Sequence, residues 1–133
     1  MAIADSNGLP VGVSVGSASP HEVKLVEEVL DSCLTIGKPK KLIGDKAYDS
    51  DDLDKKLWEE RGVELIAPHK RNRRKAATQD GRKLRRYSRR WKVERVFAWL
   101  QNFRRILVRH EYKLQNYLGF VHLGMMRILL RQF

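Results

Sequence analysis

The chain has 133 residues, of which 42% are hydrophobic, so it can bury one core and we predict a single domain over residues 1–133. Its net charge of +11 favours a polyanionic partner, nucleic acid before an anionic membrane surface. The single cysteine, Cys33, excludes an internal disulfide, and no apolar run is long enough to cross a bilayer or typical of a secretory signal. We therefore expect a cytoplasmic protein with no membrane partner.

The first half of the chain alternates short strands and helices. The predicted elements, in order, are a strand over residues 2–4, a turn at Asn7 and Gly8, a strand over 11–15, a helix from a capping box at 19–22 to Gly37, a strand over 41–44, a helix capped by Asp49 or Ser50 and ended by Gly62, and a strand over 63–67. In the second helix, Leu53, Leu57 and Trp58 are expected to face inward. Asp49, Asp51 and Asp52 are interpreted as cap and helix-dipole residues.

The second half is strongly basic. Of the 27 Lys and Arg residues, 13 lie within residues 69–95, which is typical of a binding footprint. Residues 69–81 have no periodicity and predict a mobile basic loop. A long uninterrupted helix is predicted over about residues 82–109, and a last helix over 117–131. Alternation of strands and helices indicates an α/β fold in which helices pack on a sheet.

A polar stripe is expected on the long helix. Its members are spaced three, four and seven residues apart, which at roughly 100° per residue places them within about 60° of one another: Tyr87, Arg90, Glu94 and Gln101. An apolar stripe adjoins it, made of Val93, Val96, Phe97, Leu100, Phe103 and Leu107. Glu94 should therefore lie at the edge of a buried face and among cations. A carboxylate in that setting indicates metal or phosphate chemistry.

Four segments of the chain resemble one protein family. They are residues 4–10 (Ala-Asp-Ser-Asn-Gly-Leu-Pro), residues 43–50 (Ile-Gly-Asp-Lys-Ala-Tyr-Asp-Ser), residues 87–101, and residues 116–120 with the apolar helix that follows. The chain resembles the C-terminal part of the catalytic domain of bacterial DDE-type insertion-sequence transposases, in the group with a Tyr-Arg-Glu-Lys signature. The Tyr-x2-Arg-x3-Glu spacing is weak by itself and strong together with the Gly-Asp-Lys-Ala-Tyr-Asp segment.

The resemblance implies a partial ribonuclease-H-like fold that lacks its first strand and ends in long helices. It implies a parent enzyme that cleaves DNA at transposon ends and transfers strands into target DNA, as a homo-oligomer and with Mg²⁺ or Mn²⁺ as cofactor. Two-metal phosphodiester transfer needs carboxylates that hold both cations, and Mg²⁺ accepts few protein ligands. Binding to DNA would associate such a protein with the nucleoid of a bacterial cytoplasm.

The resemblance also implies site residues. Asp45, at the end of a predicted strand, and Glu94 are implied as catalytic metal ligands, while Tyr87 and Arg90 hold DNA phosphates. Gln101, another expected DNA contact, stands where the signature has lysine. Further DNA contacts are expected from the basic loop, namely Lys70, Arg71, Arg73, Arg74 and Lys75.

Each assignment has a simpler alternative. Asp45 would then only begin a turn or pair with Lys46. Glu94 would pair with Arg90, four residues earlier on the predicted helix, or be only a neighbour of Arg95. Arg90 would otherwise be a solvated charge, and Tyr87 an ordinary packing residue. The basic loop would be no more than a solvated linker.

Two departures from the family pattern bear on the expected activity. Gln101 removes a cation near the DNA, and the family's first catalytic aspartate lies on a strand that has no counterpart in this sequence. We expect a C-terminal fragment, inactive alone, that needs an N-terminal transposase segment in cis or in trans. The alternatives are a non-catalytic basic DNA-binding fragment of a split or degenerate element and, less favoured, a ribosomal or RNA-binding protein.

Overall fold

The chain combines short strands and helices, as its sequence predicts. A computed structural model describes residues 1–16, 22–35, 37, 39–79 and 81–132. They belong to two compact units. The hairpin unit comprises Met1–Pro20, Lys24–Leu34 and Trp91–Phe133, and the parallel-strand unit comprises His21–Val23 and Thr35–Arg90. The single-domain organisation stays a prediction.

The hairpin unit begins with two antiparallel strands, β1 (Ala2–Ala4) and β2 (Pro10–Val13). Asp5 closes the turn between them, because its Oδ1 accepts hydrogen bonds from the N–H groups of Asn7 and Leu9, each at 2.8 Å. Gly8 has a φ of +83°, which favours glycine. The predicted turn and first strand are confirmed, and the second strand is shifted slightly toward the N-terminus.

Helix α1 (Glu22–Asp31) packs its apolar face inward, since Val26, Val29 and Leu30 are buried. It ends well before Gly37, the predicted end. Strand β2 lies close to the C-terminal end of α1 at Gly12, where an added Cβ would lie 2.9 Å from the Cys33 Sγ. The predicted capping box at residues 19–22 falls largely outside the described residues.

Helices α2 (Asp51–Arg61) and α3 (Gly81–Leu84) belong to the other unit. Three further helices complete the hairpin unit: α4 (Trp91–Gln101), α5 (Arg104–Leu107) and α6 (Leu114–Leu130). Helix α6 begins three residues before its predicted start. Its inward side chains pack against α4 and β2 to form one core. The buried members of that core are Val13, Val96, Leu100, Val121, Met125 and Ile128.

The parallel-strand unit contains a strand–helix–strand arrangement. Strands β3 (Lys41–Ile43) and β4 (Glu64–Ile66) pair in parallel, and helix α2 (Asp51–Arg61) connects them. The Ser50 Oγ caps α2 by accepting from the Leu53 N–H, and Gly62 ends it in a left-handed conformation (φ +65°). Both ends of α2 agree with the sequence prediction.

Helix α2 turns only part of its predicted face inward. Leu53 and Leu57 are buried, as predicted, but the side chain of Trp58 is 64% exposed. At roughly 100° per residue, Trp58 lies well off the line that joins the two leucines. The prediction that Trp58 faces the core is therefore wrong.

The predicted long helix is broken into four segments. Residues 82–109 divide among α3 (Gly81–Leu84), a 3₁₀ segment (Arg85–Arg90), α4 and α5. Six of the nine residues 82–90 are Lys or Arg, and like charges three and four residues apart repel one another on a helix. Continuous apolar periodicity begins only at Val93. The prediction of one uninterrupted helix is wrong, and charge repulsion accounts for the break over residues 85–90.

The strands do not join into one sheet among the described residues. Strands β1 and β2 form one two-stranded sheet and β3 and β4 form another, each within its own unit. The mixed α/β composition is confirmed, but the single sheet expected from the element order is not seen in this part of the chain. None of the described helices combines the length and apolar character that crossing a membrane requires.

Candidate catalytic and DNA-binding site

Asp45 follows β3 at its carboxyl end, as the sequence predicts. Gly44, between them, continues the strand pairing by donating its N–H to the Ile66 carbonyl at 3.0 Å. The Asp45 Oδ1 accepts from the Ala47 N–H at 2.7 Å and caps a short 3₁₀ turn (Lys46–Tyr48). The side chain is 41% exposed. One carboxylate oxygen thus fixes the turn, and the carboxylate stays open to solvent.

Arg90 is brought to Asp45 within the parallel-strand unit. Its Nη1 lies 3.6 Å from the Asp45 Oδ2, and its guanidinium lies 5.4 Å from the centre of the Tyr87 ring. Asp45, Tyr87 and Arg90 therefore form one cluster, although 45 positions separate Asp45 from Arg90. Two of the segments on which the family resemblance rests meet at this cluster.

The polar stripe expected on one helix does not form. Tyr87 and Arg90 lie in the 3₁₀ segment, where each residue turns by about 120°, so the spacing that aligned them with Glu94 does not hold. Glu94 lies in the first turn of α4 and is exposed, rather than half-buried at the edge of the core. Gln101 ends α4 and is also exposed.

The apolar stripe beside Glu94 forms only in part. Val96 and Leu100 are buried, whereas Phe97 is 42% and Leu107 is 60% exposed. Glu94 belongs to the hairpin unit, and Asp45 belongs to the parallel-strand unit. The structure thus groups three of the predicted site residues and leaves Glu94 in a different unit.

The donor chemistry of Asp45 and Glu94 suits a hard cation. Carboxylate oxygens are the ligands that Mg²⁺ takes in proteins, usually one or two of them together with waters or phosphate oxygens. Within the described residues, no group of three or more His, Cys, Asp or Glu side chains is arranged to hold a metal ion. Each of the two acids therefore fits Mg²⁺ in kind.

Asp49 anchors the start of the basic loop. Its side chain, 6% exposed, accepts hydrogen bonds from the Lys70 N–H at 2.7 Å and from the Arg73 Nη1 at 3.0 Å, and its Oδ1 lies 2.8 Å from the His69 Nδ1. Burial raises the pKa of Asp49, but the hydrogen bonds from the Lys70 N–H and His69 outweigh it, and the pKa is lowered. The sequence interpretation of Asp49 as a helix cap missed this role.

His69 closes the loop at its other end. Its Nε2 accepts from the Thr78 N–H at 3.1 Å, and its Nδ1 lies 2.8 Å from the Asp49 Oδ1. One imidazole thus connects Asp49 with both ends of the segment from His69 to Thr78. This role of His69 has no local sequence signal, because its partners lie nine and 20 positions away along the chain.

The loop cations divide into two kinds. Arg73 also donates to the Asp51 Oδ1 at 2.7 Å, and the Lys75 Nζ lies 3.1 Å from the other Asp51 oxygen. These hydrogen bonds, that of Arg73 first, lower the pKa of Asp51. The other three loop cations predicted to contact DNA are exposed, namely Lys70, Arg71 and Arg74. The loop is irregular, as predicted, and is held at its base by ion pairs.

Helix α4 holds the β1–β2 turn within the hairpin unit. The Arg95 Nη2 donates to the Asn7 carbonyl at 2.9 Å, and the Lys92 Nζ donates to the Ser6 carbonyl. The Arg95 guanidinium lies over Trp91 and Trp99, at 4.9 and 4.7 Å from the ring centres. The segment of residues 4–10 is thereby attached to the helix that carries Glu94.

Comparison with known proteins places the chain in a family. A family model described as the transposase DDE domain matches residues 1–129. A Burkholderia cepacia protein named "Putative transposase for insertion sequence element IS402" is 29% identical over 130 residues, which are 92% of this chain and 57% of that protein. The chain thus spans a little over half the length of this curated relative. No solved structure matches the chain. Because the family model covers nearly every residue, the chain belongs to the transposase DDE domain family.

Proposed function

We propose that this chain supplies the C-terminal part of the catalytic domain of a DDE transposase with a partial ribonuclease-H-like fold. The parent protein performs metal-dependent cleavage of DNA at transposon ends and transfer of the strands into target DNA. Family membership supports the general activity. The relative's name supports an insertion-sequence element as the context.

One observation carries the site assignment: the Asp45 carboxylate follows a parallel strand and has Arg90 beside it. The Ala47 N–H fixes Oδ1 at 2.7 Å, and Oδ2 faces the Arg90 guanidinium at 3.6 Å. Carboxyl ends of parallel strands are where α/β proteins bind ligands. The arrangement offers a carboxylate for a cation and, next to it, a guanidinium for a phosphate.

The proposed roles follow from residue chemistry. Asp45 and Glu94 would hold Mg²⁺ or Mn²⁺, which when bound stabilises charge on the attacking and leaving oxygens. Arg90 and Tyr87 would hold a DNA phosphate, the guanidinium through its fork of donors and the tyrosine through its hydroxyl. Gln101, an amide in place of the signature lysine, would make a weaker and uncharged DNA contact.

The proposed partner is DNA, bound through the exposed side chains of the basic loop. The third carboxylate of the site would come from a transposase segment outside these 133 residues, linked to the chain or supplied as a second polypeptide. The active complex would be a homo-oligomer, since transposition joins two DNA ends.

The test is cleavage of transposon-end DNA. We expect no Mg²⁺- or Mn²⁺-dependent cleavage by this chain alone, and cleavage once an N-terminal transposase segment is supplied. Asp45→Asn and Glu94→Gln should each lower the restored rate by at least about 100-fold, because positioning and charge stabilisation are removed together. Gln101→Ala should lower it less.

The matched control is Asp52→Asn, which neutralises an exposed acid of α2 and should leave the restored rate unchanged. Robust cleavage by the chain alone would contradict its status as a fragment. A restored rate indifferent to Glu94→Gln would contradict the site assignment.

A second candidate is a non-catalytic DNA-binding fragment of a split or degenerate element. The net charge of +11 and the exposed cations of the basic loop suit DNA binding without requiring catalysis. On this alternative, the supplemented chain would bind DNA without cleaving it, and Asp45→Asn would not change the affinity for DNA.

A further inference from the structure

The turn between α5 and α6 carries a fully presented aromatic side chain. Tyr112, within residues 108–113, is 97% exposed, the largest exposure among the large hydrophobic side chains of the described residues. Both faces of the ring are thus open to solvent, and an aromatic ring with a free face can stack on another flat ring.

The backbone of this turn is held by its own side chains. The Arg109 Nε donates to the Glu111 carbonyl at 3.0 Å, and its Nη2 donates to the Tyr112 carbonyl at 3.1 Å. The Glu111 Oε1 accepts from the Arg105 Nη1 at 2.9 Å, and its Oε2 accepts from the His110 N–H at 3.3 Å. Tyr112 is therefore presented by a fixed backbone, which reduces the entropy cost of binding.

The turn is also attached to the helices on both sides. The Tyr117 hydroxyl donates to the Ile106 carbonyl at 2.8 Å, which links α6 to α5. The Arg109 guanidinium lies 5.8 Å from the centre of the Tyr117 ring. The same arginine thus contacts the first turn of α6 and the carbonyls next to Tyr112.

Three cations lie at the turn that carries Tyr112. Lys113 follows Tyr112 in the chain, the Arg109 guanidinium donates to the Tyr112 carbonyl, and the Arg105 side chain, 63% exposed, pairs with Glu111. Glu111 is the one acid of residues 96–133, and its side chain is 7% exposed. Phosphates bound next to Tyr112 would meet these three cations.

We propose that this turn is a DNA contact in which Tyr112 stacks on an unpaired base while Arg105, Arg109 and Lys113 hold the neighbouring phosphates. This inference rests on the proposed function only because both assume that DNA is the partner. An exposed ring among cations is the combination that single-stranded DNA recognises, since every base has a face that stacks on an aromatic ring. An acidic protein would use the same charges without needing a base-stacking ring.

The test uses a short single-stranded oligonucleotide containing 2-aminopurine, whose fluorescence falls when the base stacks on a ring. The wild-type chain should bind it and quench the fluorescence. Tyr112→Ala should bind about 5- to 100-fold more weakly and abolish the quenching, whereas Tyr112→Phe should keep both. Because the side chain is exposed, the thermal midpoint of either variant should match the wild type.

The matched control is Trp58→Ala, which removes another exposed ring from a helix with five acids and three cations. It should bind and quench like the wild type. Equal affinity and quenching for the wild type and Tyr112→Ala would overturn this contact and leave the proposed function standing. A wild-type chain that binds no DNA would overturn both. Tyr112-dependent binding in a supplemented chain that does not cleave would keep the contact and remove the catalytic proposal.

Discussion

The fold destabilises the charged form of Asp54, an acid on α2. Burial, and then repulsion from Asp51 and Asp49, raises its pKa from 3.8 to about 6. Folding therefore favours the protonated form, and the stability associated with Asp54 is present below pH 4 and is lost as the pH rises through about 6. The pKa values of Asp49 and Asp51 are lowered, so the stability that these two acids contribute is instead lost as the pH falls through their pKa values in the folded protein.

Replacing Asp54 by Asn should stabilise the protein at neutral pH. We expect the free energy of unfolding to rise by about 1 kcal/mol at pH 7, after allowance for solvent screening, and to change little at pH 4. Urea unfolding at the two pH values measures the difference. Asp52→Asn, an exposed acid of the same first turn, controls for the removed helix-dipole interaction. An equal change at both pH values would show that the charge of Asp54 is not the cause.

At the scale of elements, the two glycines of α6 differ in how closely they approach neighbouring side chains. An added Cβ at Gly124 would lie 2.7 Å from the Ile106 Cδ1, 3.1 Å from the Leu100 Cδ2 and 3.3 Å from the Phe103 Cδ2. At Gly119, on the same helix, an added Cβ would meet nothing within 4 Å. Packing of α6 against α4 and α5 is therefore crowded at position 124, where three side-chain ends would have to shift, and open at 119.

The two glycines form a matched pair for mutation. Gly124→Ala should lower the free energy of unfolding by about 1–2 kcal/mol, because three packed side chains must shift together. Gly119→Ala should raise it by about 0.5–1 kcal/mol, since alanine is the better helix former and has room. Chemical denaturation of both variants measures the changes. Stabilisation by both would mean that α6 does not pack closely at Gly124.

At the scale of the whole molecule, the charge of +11 should govern DNA affinity through salt. The loop cations Arg73 and Lys75 pair with acids at the base of the loop, although Lys75 is itself exposed. The other three, Lys70, Arg71 and Arg74, are exposed and can meet phosphates directly.

Replacing Lys70, Arg71 and Arg74 together by Ser should flatten the salt dependence of duplex binding. The slope of log K against log salt concentration should fall in magnitude by about 0.9 for each phosphate that the variant no longer neutralises. Binding titrations at several salt concentrations measure the slope. Lys55→Ser with Lys56→Ser, exposed cations of the acidic helix α2, is the control and should leave the slope unchanged. An unchanged slope in the triple variant would remove the loop from the DNA footprint.

Features that depend on neighbours along the chain were predictable from the sequence. The turn at Gly8, the Ser50 cap and the Gly62 end of α2 each involve residues no more than about four positions apart, and all three are present. The position of Asp45 at the end of β3 was predicted in the same way, from a short apolar run followed by an acid. These signals are local because caps, turns and strand ends are satisfied by nearby backbone groups.

Other features depend on packing between distant parts of the chain. The 20-position contact of Asp49 with His69 and the approach of Arg90 to Asp45 have no local pattern that would reveal them. The break at residues 85–90 required charge repulsion to outweigh helix propensity, which periodicity alone does not measure. Family resemblance named Asp45 and Arg90 separately, but only folding brings a guanidinium to a carboxylate, because ion pairs form across space rather than along the sequence.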